Sequence, residues 1–223
     1  SHKREYVTKI ESAYSVASKQ LLKNILQENK LMDLLNNLRD VFLFKKGDFF
    51  VHFIDNAETE LVKKVNVMIP SKLQSLLELS LKSSGVKDIV DLSAELSHLP
   101  IGGYLSLLAD LSSGASSSLT SMPKETFMLN GIDAFTIRPS ISFPLSIIVN
   151  NSNVLKYQLL FRHLFQCKIV ERGLLKAWIE HKYCKEFSLG NSIAPIYRLR
   201  QRMLHFVREL LFYSFSEIEK NFV

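Results

Sequence analysis

Turn-forming residues are scarce, with eight glycines and six prolines in 223 residues. An all-β sandwich or barrel needs a turn signal about every 8–12 residues, so that class is excluded. There are two cysteines, Cys167 and Cys184, and neither belongs to a CxxC pair. A disulfide framework is excluded, and so is a zinc site of paired cysteines; free thiols in a reducing compartment are expected. No apolar run reaches the roughly 18–20 residues that a spanning helix needs. The opening SHKREYVTKIESAY is polar and already helical in pattern, without a secretory signal. A cytosolic or nuclear setting is therefore expected, and the sequon Asn150-Asn151-Ser152 is expected to stay unglycosylated.

What is present is Leu, Lys, Ser and Phe, with 47% hydrophobic residues, enough for a sizeable core built from helices. Tyr6, Ile10, Ala13, Tyr14, Ala17, Leu21 and Leu22 recur at helical spacing within 5–29. Leu31, Leu34, Leu35, Leu38, Phe42 and Leu43 mark a second helix over 31–46. Gly47 breaks the pattern, and Asp48 is suited to cap the next run, 49–65. Pro70 and Ser71 open a fourth helix that Gly85 closes. Residues 86–125 hold weak periodicity, a Gly102-Gly103 pair and a Ser-rich stretch, and read as an exposed, variable connection. Alternation around 134–141 and two prolines predict a short hairpin or extended insertion near residues 127–149. Helical pattern resumes over 154–181 and again, after a polar loop, over 197–220. The expected class is mainly all-α, a bundle of long amphipathic helices.

The net charge of +6 sits in the last third, where residues 154–223 carry twelve Lys and Arg against six Asp and Glu. Such a surface suits an acidic partner, whether protein, nucleic acid or membrane headgroups. No phosphate loop, GxGxxG, GxSxG or HExxH is present, and the six histidines are scattered. One constellation invites a catalytic reading: His163, Cys167 and Glu171 are spaced four apart in QLLFRHLFQCKIVERGLL. Helical geometry removes it. Successive i, i+4 positions drift by about 40°, and His163 and Glu171 stand roughly 12 Å apart along the axis, too far to share one ion.

On the same helix, Tyr157, Leu160, Phe161, Leu164, Leu175, Trp178 and Ile179 form one apolar stripe. Cys167 lies at its edge as a small core residue, and Trp178 also reads as structural. Glu171 falls inside the stripe and needs a partner such as Lys168, or a neighbouring helix terminus. We expect it to brace the fold. Arg162 and Arg172 project away from the stripe's centre and are expected to remain available to a partner.

These residues also carry a family likeness. YQLLFRHLFQCKIVERGL with Trp178 resembles the C-terminal signature of the gamma-tubulin complex proteins. FLFKKGDFFVHFIDNAETEL, FPLSIIVN, LRQRMLHFV and the opening YVTKIESAYSVASKQLL resemble further blocks, in the family's order and nearest to the component-2 type. Phe143 stands where the family often has Trp. The resemblance implies a partial C-terminal helical domain over 1–223, without the N-terminal lateral-contact domain and the final helices. It implies a non-catalytic scaffold, without cofactors, that binds gamma-tubulin and works with other gamma-tubulin complex proteins at a microtubule-organising centre. Nucleic-acid binding and membrane insertion are not implied; a basic nucleic-acid- or membrane-binding module is the alternative reading. Family blocks and expected exposure together single out Lys45, Lys46, Asp48, Phe49, Arg138, Phe143, Arg162, His163 and Arg172 as partner contacts, with Phe49 and Phe143 each better suited to the core.

Overall fold

The computed structural model describes residues 2–45, 47–83, 91–113, 129–186 and 194–221. Helix α1 (His2–Lys23) runs into a π-helical turn (Asn24–Glu28). Lys30, at φ 49°, turns the chain into α2 (Leu31–Phe42). Then follow α3 (Asp48–Leu61), a 3-10 turn (Val65–Val67) and α4 (Pro70–Ser83). Strand β1 (Leu92–Leu96) and α5 (Ile101–Ser113) come next. The short α6 (Gly131–Ala134) leads into β2 (Phe135–Pro139), and the long helices α7 (Asn151–Glu186) and α8 (Ala194–Asn221) complete the described chain.

Apolar spacing decides what each helix buries. Leu31, Leu34, Leu38, Val41 and Phe42 turn one side of α2 inward, and Phe49, Phe50, Phe53, Ile54 and Ala57 do so for α3. Pro70 occupies the first position of α4, where its missing N–H costs nothing. These helices enclose a phenylalanine cluster. Phe44 and Phe161 stack at 5.4 Å, Phe53 and Phe135 at 4.9 Å, and Phe161 and Phe165 at 5.6 Å. Such pairs contribute about 0.5–1.5 kcal/mol each beyond their burial. Phe44 adopts φ 55°, unusual for an aromatic residue, in the turn that brings its ring onto Phe50 and Phe161.

Several expectations are corrected. Asp48 does not cap α3; it is the first helical residue and Gly47 holds the cap position. The helix ends at Leu61 because the chain then turns to bridge Lys64 with Asn130. The insertion near 127–149 does form extended structure at 135–139, but it is no local hairpin. Strand β2 pairs antiparallel with β1, Leu92 opposite Pro139 and Leu96 opposite Phe135. The segment read as a variable connection thus supplies a strand and helix α5, which packs on α7; its Ser-rich part at 114–121 lies outside the described residues.

The two-stranded sheet has both edges closed by glutamines. Gln74 of α4 accepts a hydrogen bond from the Ala94 N–H at 2.6 Å and donates to the Leu92 carbonyl at 3.1 Å, as a neighbouring strand would. On the other edge the buried Gln158 donates to the Ile137 carbonyl at 3.1 Å. Closed edges leave little backbone free for pairing with another chain. Helix α1 forms as expected, yet its apolar side is not buried: Tyr6, Ile10, Tyr14, Leu21 and Leu22 are all exposed.

Candidate partner-binding surface

Helix α7 is about 54 Å long at 1.5 Å per residue, and its two halves have different surroundings. Val154, Gln158, Phe161, Leu164 and Phe165 are buried in the core. Beyond them Leu175, Trp178, Ile179 and Tyr183 are exposed, and the helix packs against α8. The single apolar stripe drawn along the helix is therefore two stretches, one buried and one largely open.

That division reverses the expectation for Arg162, which is 1% exposed. Its guanidinium donates from Nη1 to the Leu99 carbonyl at 2.9 Å and from Nη2 to the Asp133 carbonyl, and lies 4.9 Å over the Tyr104 ring. It ties α7 to α5 and α6 and is not available at the surface. Arg172 is likewise engaged, in an ion pair with Asp55 of α3. Phe49 is 0% exposed, inside the phenylalanine cluster, and is removed from the contact set. By contrast Phe143 is 79% exposed and lines an open groove of about 610 Å³ with Pro144, Leu21 and Asn24. Lys45 and His163 are exposed. Arg138 is exposed and held by Glu95 at 3.0 Å, and Glu95 in turn accepts from Gln158 at 3.1 Å. Lys46 and the Asp48 side chain lie outside the described residues.

Glu171 has the partner its position demands, and from two helices. Lys168 donates at 3.1 Å and Arg208 of α8 at 3.0 Å. Burial alone would push the Glu171 carboxyl up, but the two cations outweigh it and hold it below the usual carboxylate range. Glu171 therefore locks α7 to α8. Burial pushes the Cys167 thiol up, which lowers its thiolate fraction and with it its reactivity. Among the described residues no three His, Cys, Asp or Glu side chains converge to hold a metal, and no helix is long and apolar enough to cross a membrane.

Sequence reasoning missed a second groove, of about 460 Å³, where the open half of α7 meets α8. Leu175, Trp178, Tyr197 and Leu204 form its apolar lining, and Arg198, Arg200 and Arg208 its charge. Arg200 lies 4.7 Å over the Trp178 ring, and Trp178 meets Tyr197 edge to face at 5.9 Å. The signal was present in the helical spacing of Tyr197, Arg200, Gln201, Leu204 and Arg208, which puts them on one side of α8.

Comparison with known proteins places this architecture. Residues 31–223 match the family described as "Gamma tubulin complex component C-terminal". The chain is similar to "Gamma-tubulin complex component 2" of Mus musculus, 39% identical over 223 residues, covering 96% of this chain and 24% of that protein. It is 34% identical over 220 residues to "Gamma-tubulin complex component 2 homolog" of Drosophila melanogaster, covering 96% and 25%. "Spindle pole body component alp4" of Schizosaccharomyces pombe is 26% identical over 259 residues, covering 96% and 33%. The chain thus spans about a quarter to a third of the length of these relatives. Every element from α2 to α8 falls within the family match, and the chain belongs to the gamma-tubulin complex component family through its C-terminal region.

Proposed function

We propose that this chain is a gamma-tubulin-binding scaffold, a non-catalytic helical domain that positions gamma-tubulin to template microtubule nucleation at a microtubule-organising centre. The observation that carries the reading is the uninterrupted family match over 31–223, which takes in the core and both long helices. Relatives over nearly the whole chain are named for gamma-tubulin complexes and spindle pole bodies. Contacts with other complex components are assigned to the parts of the relatives that this chain does not span. The surface offered to gamma-tubulin includes Lys45, Arg138, Phe143 and His163, which are all exposed; Lys46 and Asp48 remain in the set on their place in the family block. A scaffold of this kind works by rigidity: the phenylalanine cluster, Arg162 and Glu171 fix the elements relative to one another, so a bound partner is held in one orientation.

The test is co-elution of purified gamma-tubulin with this chain and, separately, with the complete C-terminal half of a component-2 protein. Stoichiometric co-elution in both cases is expected. A complete C-terminal half that fails to bind gamma-tubulin would sink the proposal.

A further inference from the structure

Arg138, an exposed member of the surface proposed for gamma-tubulin, is held from inside the fold. The strand register sets Ser93 opposite Arg138 and Glu95 opposite Thr136, so Glu95 and Arg138 are diagonal neighbours on one face of the sheet. Glu95 Oε2 accepts from Arg138 Nε at 3.0 Å and from Gln158 Nε2 at 3.1 Å. Gln158, 0% exposed on α7, is itself fixed, because the same nitrogen donates to the Ile137 carbonyl at 3.1 Å. The Ser93 hydroxyl donates to the Arg138 carbonyl at 3.2 Å and steadies the backbone of that residue. Each member of this relay belongs to β1, β2 or α7, so it is complete within the described chain.

A half-exposed ion pair of this kind adds little stability; what it sets is orientation. A guanidinium bonded through Nε keeps its Nη1 and Nη2 pair, the planar fork that takes both oxygens of a carboxylate. Among the described residues neither Nη of Arg138 has another hydrogen-bond partner. The geometry points to Glu95 as a positioning residue for gamma-tubulin binding. Anchored to the core through Gln158, it holds Arg138 in advance so that the fork takes a carboxylate of the partner, a role that rests on the gamma-tubulin reading above. Two effects of Glu95 oppose each other. Its negative charge repels an incoming carboxylate, and its grip on Nε removes the cost of immobilising a long side chain on binding. At an exposed site the repulsion is screened by salt, whereas the immobilisation cost is not. The grip therefore wins, and removing this acid weakens binding to another acid.

The test is a double-mutant cycle of gamma-tubulin affinity in the full-length protein at physiological salt. Glu95→Ala should weaken binding about three- to tenfold, the cost of immobilising one long side chain. Arg138→Ala should weaken it at least about tenfold, the scale of one charge-assisted hydrogen bond. In the Arg138→Ala background, Glu95→Ala should change nothing further. A merely structural Glu95 would instead lower the urea midpoint and show no coupling to Arg138; the Glu95→Ala midpoint is expected to stay near the parent's. If Glu95→Ala loses its helical signal, Glu95→Asp carries the same comparison, since it keeps the charge and withdraws it by one methylene. Unchanged or tighter binding by the Glu95 variant, an equal loss with and without Arg138, or parent-like binding by Arg138→Ala would overturn the inference and leave the gamma-tubulin reading standing. Failure of the parent to bind would overturn that reading, and the inference with it.

Discussion

Replacing Arg162 separates a structural role from a contact role. Arg162→Leu leaves the Asp133 carbonyl without its donor, leaves the Leu99 carbonyl only the Ser97 hydroxyl at 3.3 Å, and removes the guanidinium from the Tyr104 ring. A part-buried carbonyl that loses its charged donor costs about 1–3 kcal/mol, and the lost ring contact about 0.5–2 kcal/mol. Relief of the guanidinium's own desolvation offsets part of this, so the net loss is set at about 3–5 kcal/mol. A domain of this kind has only about 5–15 kcal/mol in total. With a urea slope of about 2–3 kcal/mol/M, the midpoint should fall by about 1–2.5 M. Arg162→Lys keeps a charge but lacks the fork that reaches two carbonyls, and should lose roughly half as much. The assay is urea unfolding followed by far-UV circular dichroism. The reasoning is refuted if Arg162→Leu unfolds within about 0.5 kcal/mol of the parent, the ordinary effect of a surface substitution, while gamma-tubulin binding is lost.

Gly131→Ala should destabilise by about 1–3 kcal/mol in the same unfolding assay, because a Cβ there meets the Leu61 carbonyl oxygen at 2.8 Å and collides with the Met68 sulfur. Stability should fall as the solution is acidified. Lys72 and Lys63 hold the Glu60 carboxyl below its ordinary value, and Lys168 and Arg208 do the same for Glu171 against its burial. The unfolded chain then binds more protons, so their contribution is full above the unfolded value of about 4.3 and is lost as pH drops through the lower folded values; Glu171→Gln should flatten that limb of an unfolding-against-pH curve. Gln74→Leu orphans the Ala94 N–H and the Leu92 carbonyl at the sheet edge, and faster amide exchange at Ala94 would register it. Phe143→Ala should leave the melting temperature within about a degree or two, since an exposed ring contributes little, and should weaken gamma-tubulin binding if the proposed surface is right.

The helices were legible because their cores are local patterns. Leu31, Leu34 and Leu38 announce α2, Gly47 marks the break, and Pro70 marks the start of α4. Strand β1 was not legible. LSAEL has no β-branched residue, and its extended form depends on β2, far along the chain, and on Gln74 closing its edge. Helix α5 was hidden by Gly102 and Gly103. The error at Arg162 came from averaging one stripe over all of α7. Leu175, Trp178 and Ile179 rotate that average away from the side on which Val154, Gln158, Phe161 and Phe165 enter the core, and a wheel cannot show which carbonyls wait opposite. The Lys168 partner of Glu171 was legible because a carboxylate within an apolar stripe needs a cation, and Lys168 is one turn away; Arg208 could only be found through the fold. Arg172 illustrates the same limit, since its partner Asp55 belongs to α3.

The central claim, that this domain holds gamma-tubulin on a surface outside its core, is tested most directly by an amide-exchange footprint of the chain with and without saturating gamma-tubulin. The account predicts slowed exchange in the turn at Lys45, in the segment from Arg138 to Phe143 and around His163, with the buried α3 turns at Phe53 and Ala57 unchanged. No slowing anywhere in the chain, with the complete C-terminal half equally silent, would contradict it.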